Sequence, residues 1–373
     1  MRNTYLIWLE WPEKCFRVDA EALRFLRELV GNGVEGSGVR GQESGVRVSA
    51  PCGCSQPIGT RASTPVRTSP SATRFARGIR ATARPSQELG VRVVRARSEG
   101  EFLNLLPKAT HVITWHFNKD WYDLAPNLKL VATPSAGREL VDYAAAPEGV
   151  TVHFGAYHGA IIAEAVIGFI FAWAHGFFRP ELAAADARGK AWVKTWPRAL
   201  LGDKCSQVAG SKAVIVGYGR IGKAIGAKLE ALGVEVEGFG RKNLDKLNAA
   251  LKKAAWLILA LPSDTGTDDF VNAKLIAKLP RNCVIINIGR GNAIDEPSLI
   301  KALETGRIAG AYLDVFHNEP GPLFKVGSAQ KGGILTLPKR KLPWNLIRMP
   351  HSSAFCSEYL KMCFEELKND GLI

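Results

Sequence analysis

The chain has 373 residues, 46% hydrophobic and 23% charged, with a formal net charge of +14. That length and balance exclude a disulfide-stapled miniprotein and a wholly disordered chain, and leave room for two or three domains around a large core. The charge admits an acidic partner such as nucleic acid, a membrane surface or an anionic substrate, but half of it sits in one segment: eight arginines, no lysine and one acid, Glu43, lie between Ser37 and Gln87.

In chain order, residues 4–9 predict a strand and 19–30, "DAEALRFLRELV", an amphipathic helix with Asp19 near its start. "TYLIWLEW" is too short for a secretory h-region with a cleavage site and reads as a strand. From Gly31 to about Ser86 the chain is Gly, Ser, Pro, Thr, Ala and Arg, with Phe75 its only aromatic. Such a stretch cannot bury enough apolar surface to offset ordering entropy, so a disordered insertion is expected over 31–89. Its arginines lack aromatic interleaving, which argues against a nucleic-acid tether.

Short β-rich runs follow at 91–96, 111–115, 128–133 and 150–154, giving a small α/β unit. The most apolar run, Ala160 to Phe178, contains Glu164 and His175 and predicts a buried helix rather than a membrane span. A second series has strands at 213–216, 234–239, 256–261, 283–288, 308–313 and 345–349, with helical patterns such as 220–232 and 296–305 between them. Near-continuous apolar strands imply a parallel sheet covered on both faces. Residues 320–343, rich in Gly, Pro and Lys, predict a long loop. The seven cysteines are scattered, form no CxxC pair and complete no metal set, so a reducing, cytoplasmic setting is expected.

"VGYGRIG", Val216 to Gly222, closes the first strand of the second series and opens a helix, the context a dinucleotide fingerprint requires. Gly217 permits the tight turn, Gly219 lets backbone approach a pyrophosphate, and Gly222 lets helix and strand pack closely. The helix N-terminus offers N–H groups and a positive dipole to the phosphates. About 20 residues on, an acid normally holds the ribose of NAD. Here "VEGFGRK" offers Gly240, Arg241 and Lys242. Two cations without a carboxylate favour a 2′-phosphate, so NADP(H) is expected, with NAD possible. The competing reading is a solvated helix start.

Three further motifs end at strand termini: "INIGRGNAIDE" (286–296) with Arg290, "YLDVFHNEP" (312–320) with Glu319, and "MPHSSA" (349–354) with His351. Carboxyl ends of parallel strands are where such sheets bind ligands, so arginine, carboxylate and histidine can converge there.

With these four motifs in this order, the sequence resembles the D-isomer-specific 2-hydroxyacid dehydrogenase family over about 90–373, with 1–30 also fitting. The resemblance implies a Rossmann-type doubly wound parallel sheet inserted into a second, smaller flavodoxin-like α/β substrate domain. The implied domains are a substrate lid, 1–160 completed by 352–373, and a dinucleotide-binding domain, 161–351. It places the catalytic roles on Arg290, Glu319 and His351. Arg290 would grip a 2-oxo acid, His351 would protonate its carbonyl oxygen, and Glu319 would orient the imidazole. "TPSAGRE" (133–139) resembles the substrate loop, whose N–H groups at Ala136 and Gly137 would cradle the carboxylate. Nucleotide contacts are implied at Arg220, Ile221, Ile288 and Asp314, with Leu261 and Pro262 lining the adenosine side. His116 and His158 lie where the cleft is expected, with a core or surface role as the alternative. No metal or membrane is implied, and a homodimer is.

Three departures qualify the resemblance. The usual acid after the second strand is absent. The insertion at 31–89 interrupts the lid between its first helix and second strand. The Lys-rich loop at 325–341 separates Glu319 from His351 and can displace the histidine. The expected function is NADPH-linked reduction of a 2-oxo acid, with the acid itself open. The alternatives are a nucleotide-sensing, corepressor-like interaction protein on the same fold, and an enzyme impaired by its insertions.

Overall fold

Eleven strands among the described residues form two parallel sheets. The computed structural model describes residues 3–9, 19–31, 91–181, 204–264, 266–317, 319, 334–338 and 341–373. The expected insertion at 31–89, apart from Gly31, and most of the 320–343 loop lie outside them.

The first sheet holds β1 (Thr4–Trp8), β2 (Arg92–Arg95), β3 (His111–Thr114), β4 (Leu130–Thr133) and β5 (Thr151–Phe154) in the order β2-β1-β3-β4-β5. Helix α1 (Ala20–Val30) starts where Asp19 accepts the Ala22 N–H at 2.7 Å and stops at Gly31, φ 80°. Beyond 31–89, β2 still pairs with β1 in register, Thr4 beside Arg92 and Ile7 beside Arg95. The strand pairing therefore survives the interruption. A short helix, α2 (Glu99–Leu105), packs Phe102 beneath Trp8 and Trp121.

The run predicted at 160–178 forms α3 (His158–Ala174), whose Ile162, Val166, Phe169 and Ile170 pack against the second sheet. No helix among the described residues is long and apolar enough to cross a membrane. The second sheet holds β6 (Lys212–Val216), β7 (Glu235–Phe239), β8 (Trp256–Leu259), β9 (Val284–Asn287), β10 (Gly310–Leu313) and β11 (Leu346–Arg348). Their order is β11-β10-β9-β8-β6-β7, so the winding reverses around β6 and opens a crevice at its carboxyl end. Every residue of β8, β9 and β10 is buried, because helices cover both faces. The connecting helices are α4 (Arg220–Ala231), α5 (Leu247–Leu251), α6 (Ala273–Ile276) and α7 (Glu296–Glu304). The final helix, α8 (Tyr359–Asn369), returns to the first sheet, where Leu360, Phe364 and Leu367 share a core with Ile7 and Leu26.

Two buried histidines make this fold acid-sensitive. His158, 4% exposed, bonds the Tyr359 hydroxyl at 2.8 Å, and His111 meets Thr110 Oγ1 at 2.8 Å. Burial pushes each imidazole down to about 4. The unfolded chain binds protons near 6.5 and the folded chain only near 4, so stability falls as pH drops through that window. For His158 the loss is about 3 kcal/mol. Urea unfolding at about pH 7 and about pH 5 checks this: the gap in midpoint narrows in H158Q, and an unchanged gap contradicts the assignment.

Candidate active site

The fingerprint turn is built as its glycines require. Gly217 sits at φ 92°, a conformation side-chain-bearing residues avoid, and a Cβ there would overlap the Ala260 carbonyl. A Cβ on Gly222 would run into the Gly217 carbonyl oxygen. Gly219 caps α4 and has nothing within 4 Å of where its Cβ would stand, so a pyrophosphate has room at the helix N-terminus. Arg220 and Ile221 form the first helical turn, Arg220 exposed.

At the end of β7, Gly240 also faces open space, and its N–H donates to Asn243 Oδ1 at 2.8 Å. Arg241 meets Asp264, in the loop after β8, at 3.3 Å, while Lys242 is exposed. The sequence reading pointed both cations at a phosphate and did not foresee Asp264. Arg241 is 89% exposed, and exposed pairs of this kind contribute little. Leu261 and Pro262 follow β8 along the same edge, and Leu261 backbone closes against Gly289.

Arg290 is presented by a turn that Asn287 builds from inside. The buried Asn287 amide donates to the Arg290 carbonyl at 3.0 Å and accepts the Gly289 N–H at 3.1 Å. A Cβ on Gly291 would overlap Phe316, so both glycines of "GRG" are needed for close approach. Ile288, 6% exposed, packs under the turn. The guanidinium reaches the loop after β4: Arg290 Nε donates to Glu139 Oε1 at 2.6 Å and NH1 to the Gly289 carbonyl at 2.9 Å. Burial pushes the Glu139 carboxyl up, but the Arg290 charge and hydrogen bond, together with the Glu139 and Arg138 backbone N–H groups, outweigh it, and the net shift is down.

This contact joins Arg290 to the loop expected to cradle a substrate carboxylate. Gly137 lies against Arg290, and its N–H donates to Ser135 Oγ at 3.1 Å. Ala136 precedes it in the same turn. Glu139, two residues beyond Gly137 in the same motif, is the carboxylate that meets the guanidinium.

His351 stands beyond β11 at φ 53°, in the left-handed region. Such a conformation costs about 1–3 kcal/mol and persists where neighbours over-determine it. Here Asp314 does so. Its carbonyl accepts the His351 N–H at 2.8 Å, and its carboxylate accepts Ser352 and Ser353 N–H at 2.8 and 3.1 Å. Asp314 is 3% exposed, and its carboxylate builds the histidine's loop. His351 Nδ1 meets Glu319 Oε2 at 2.7 Å, and Glu319 Oε1 accepts the Phe316 N–H at 2.7 Å. His351 therefore has Glu319 as a partner, while most of the Lys-rich loop lies outside the described residues. Arg290, Glu319 and His351 follow β9, β10 and β11, three neighbouring strands of the sheet, at their carboxyl ends. His116 instead packs against Trp8 and Trp121, an aromatic-core role.

Comparison with known proteins agrees with this architecture. The family model described as "D-isomer specific 2-hydroxyacid dehydrogenase, NAD binding domain" matches residues 172–339. A glycerate dehydrogenase of Methylorubrum extorquens is 32% identical over 247 residues, covering 65% of this chain and 74% of that protein. The NAD-complexed D-isomer-specific 2-hydroxyacid dehydrogenase of Lactobacillus delbrueckii superposes with a TM-score of 0.62 at 15% identity, over 99% of this chain and 96% of that one. An acyclic imino acid reductase in complex with NADPH and D-Arg gives 0.57 at 22% identity, over 77% and 92%.

Proposed function

The chain belongs to the D-isomer-specific 2-hydroxyacid dehydrogenase family, and on that premise we propose an NADP(H)-linked 2-oxo acid reductase whose reacting set is Arg290, Glu319 and His351. As an oxidoreductase it moves a hydride between a nicotinamide nucleotide and a 2-oxo or 2-hydroxy acid. The observation that carries the assignment of residues is the 2.7 Å bond from Glu319, after β10, to His351 Nδ1, after β11, beside the strand β9 that presents Arg290.

The open space over Gly219 and Gly240 fits a dinucleotide on the N-terminus of α4. Gly217, Gly219, Arg220, Ile221 and Gly222 would hold its pyrophosphate, and Leu261, Pro262 and Ile288 its flanks. When bound, the reduced nicotinamide supplies the hydride. Arg290 binds and orients the carboxylate and carbonyl with the N–H groups that Glu139 and Gly289 leave available. His351 gives the proton at Nε2 to the carbonyl oxygen and takes it back in reverse. Glu319 holds Nδ1, fixes the ring and offsets the imidazolium charge. Residues 1–160 and 352–373 form the lid that excludes water over 161–351. Family likeness also supports a homodimer in the cytoplasm, and no disulfide forms among the described residues.

Replacing Glu319 with glutamine lowers kcat by about 10²-fold and leaves KM for the 2-oxo acid near its starting value. Steady-state kinetics check it, and a fall in affinity with kcat intact contradicts the role. For the cofactor, Arg241 can leave Asp264 for the more highly charged 2′-phosphate, with Lys242 beside it. R241S raises KM for NADPH about tenfold and leaves NADH unaffected. Equal effects on both, or a wild-type preference for NADH, end the NADP(H) proposal. The whole reading is tested by NADPH oxidation with a panel of 2-oxo acids. Nucleotide binding without turnover on any of them would favour an interaction protein instead.

A further inference from the structure

Among the described residues two carboxylates are almost wholly buried, Asp314 and Glu296, and the scheme above leaves Glu296 unused. It is the first residue of α7 and is 2% exposed. Its Oε1 accepts the His317 N–H at 2.9 Å and its Oε2 accepts the Ile334 N–H at 2.6 Å. Those two amides stand on either side of Glu319 in the chain. One carboxylate thus ties together the segments that enter and leave the long excursion between β10 and β11.

Glu319 hangs from the same turn. Its Oε1 takes the Phe316 N–H, the residue before the one Glu296 holds, and its Oε2 takes His351 Nδ1. A continuous series of bonds runs from Glu296 through residues 316–317 to Glu319 and on to the imidazole. Burying a carboxylate is costly unless it is hydrogen-bonded. A helix start alone does not require that burial, because an exposed acid at this position serves the dipole equally well. The burial places both oxygens on the two amides that frame Glu319. Burial also pushes the Glu296 carboxyl up, partly opposed by the two backbone donors, with the Glu319 charge adding to the rise.

We infer that Glu296 is a positioning residue for hydride transfer, a buried clamp whose Oε1 holds the Phe316–His317 turn and whose Oε2 ties it to Ile334, fixing through that turn the Glu319–His351 bond. The inference rests on the reading of Glu319 and His351 as the proton-transfer pair. Glutamine at this site keeps one acceptor but turns an NH2 toward a second N–H donor, so E296Q loosens the turn without emptying the space.

The test compares E296Q, E319Q and the double variant, each measured as kcat, KM and the pH profile of kcat. E296Q lowers kcat about tenfold, leaves KM for the 2-oxo acid unchanged, and moves the pH profile in the same direction as E319Q. In the E319Q background it costs little more, because the group it positions is already gone. Multiplicative losses with an unshifted profile overturn the inference and leave Glu296 a structural staple. If E319Q itself turns over normally, the proton-transfer reading fails. If E319Q is slow and E296Q is not, only the present inference fails. E296D, with the charge kept and the reach shortened, gives the same comparison should E296Q not fold.

Discussion

Replacing Arg290 with alanine lowers kcat/KM for a 2-oxo acid by about 10³-fold or more, with KM for the nucleotide little changed. The size follows from what the side chain does and from what its removal exposes. The guanidinium is the positive group that β9 presents at the cleft, held by the Asn287 turn and by Gly289 and Gly291. Its loss removes a planar, charged fork at the position where carboxylate and developing alkoxide would be met. It also leaves Glu139, whose carboxyl the guanidinium holds down, as an unpaired anion beside the entering carboxylate. Two consequences separate this account from simple loss of charge. R290K restores the charge without the fork and recovers only part of the activity. E139Q in the R290A background recovers activity, because the repelling anion is gone. A fall in kcat/KM of less than tenfold for R290A removes the arginine from the reacting set.

Replacing His351 with alanine lowers kcat for reduction by about 10²–10⁴-fold, the usual range for a positioned general acid. Affinities for acid and nucleotide stay near wild type, since the imidazole is assigned proton transfer rather than binding. Backbone strain has to be separated from loss of the ring. His351 sits at φ 53°, where glycine is relaxed and alanine is not. H351G therefore relieves the strain yet remains as slow as H351A. Imidazole added to H351G restores part of the rate, because the space beside Glu319 is then open to it. Steady-state kinetics on the two variants, with and without imidazole, decide the matter. Full activity in either variant removes His351 from the proton path.

Much of the framework was legible in the sequence because its signals are local. Apolar runs at 256–261 and 283–288 became β8 and β9 with ends shifted by one or two residues, since burial on both faces leaves little else for such runs to do. Gly217 and Gly222 were legible because only glycine fits their geometry. Glu319 and His351 were legible as types at strand ends. What escaped were the partners made by distant segments. Glu139 meets Arg290 across 151 positions, and Glu296 holds Ile334 across 38. A lone acid in a polar loop or at a helix start carries no periodicity, and its burial depends on packing the chain does not spell out. Asp264 beside Arg241 is of the same kind. The carboxylate of Asp314, implied by the resemblance as a nucleotide contact, also accepts the Ser352 and Ser353 amides, a partnership no local pattern announces.

The central claim is that Arg290 and the Glu319-held imidazole together bind and protonate a ketone that carries a neighbouring carboxylate. It is tested most directly by following NADPH oxidation with several 2-oxo acids, each beside its own carboxamide. The acids are reduced and the uncharged analogues are slower by about 10²-fold or more, since only the acids offer the guanidinium an anion. Equal rates for acid and amide, or nucleotide binding with no oxidation by any acid, would contradict it.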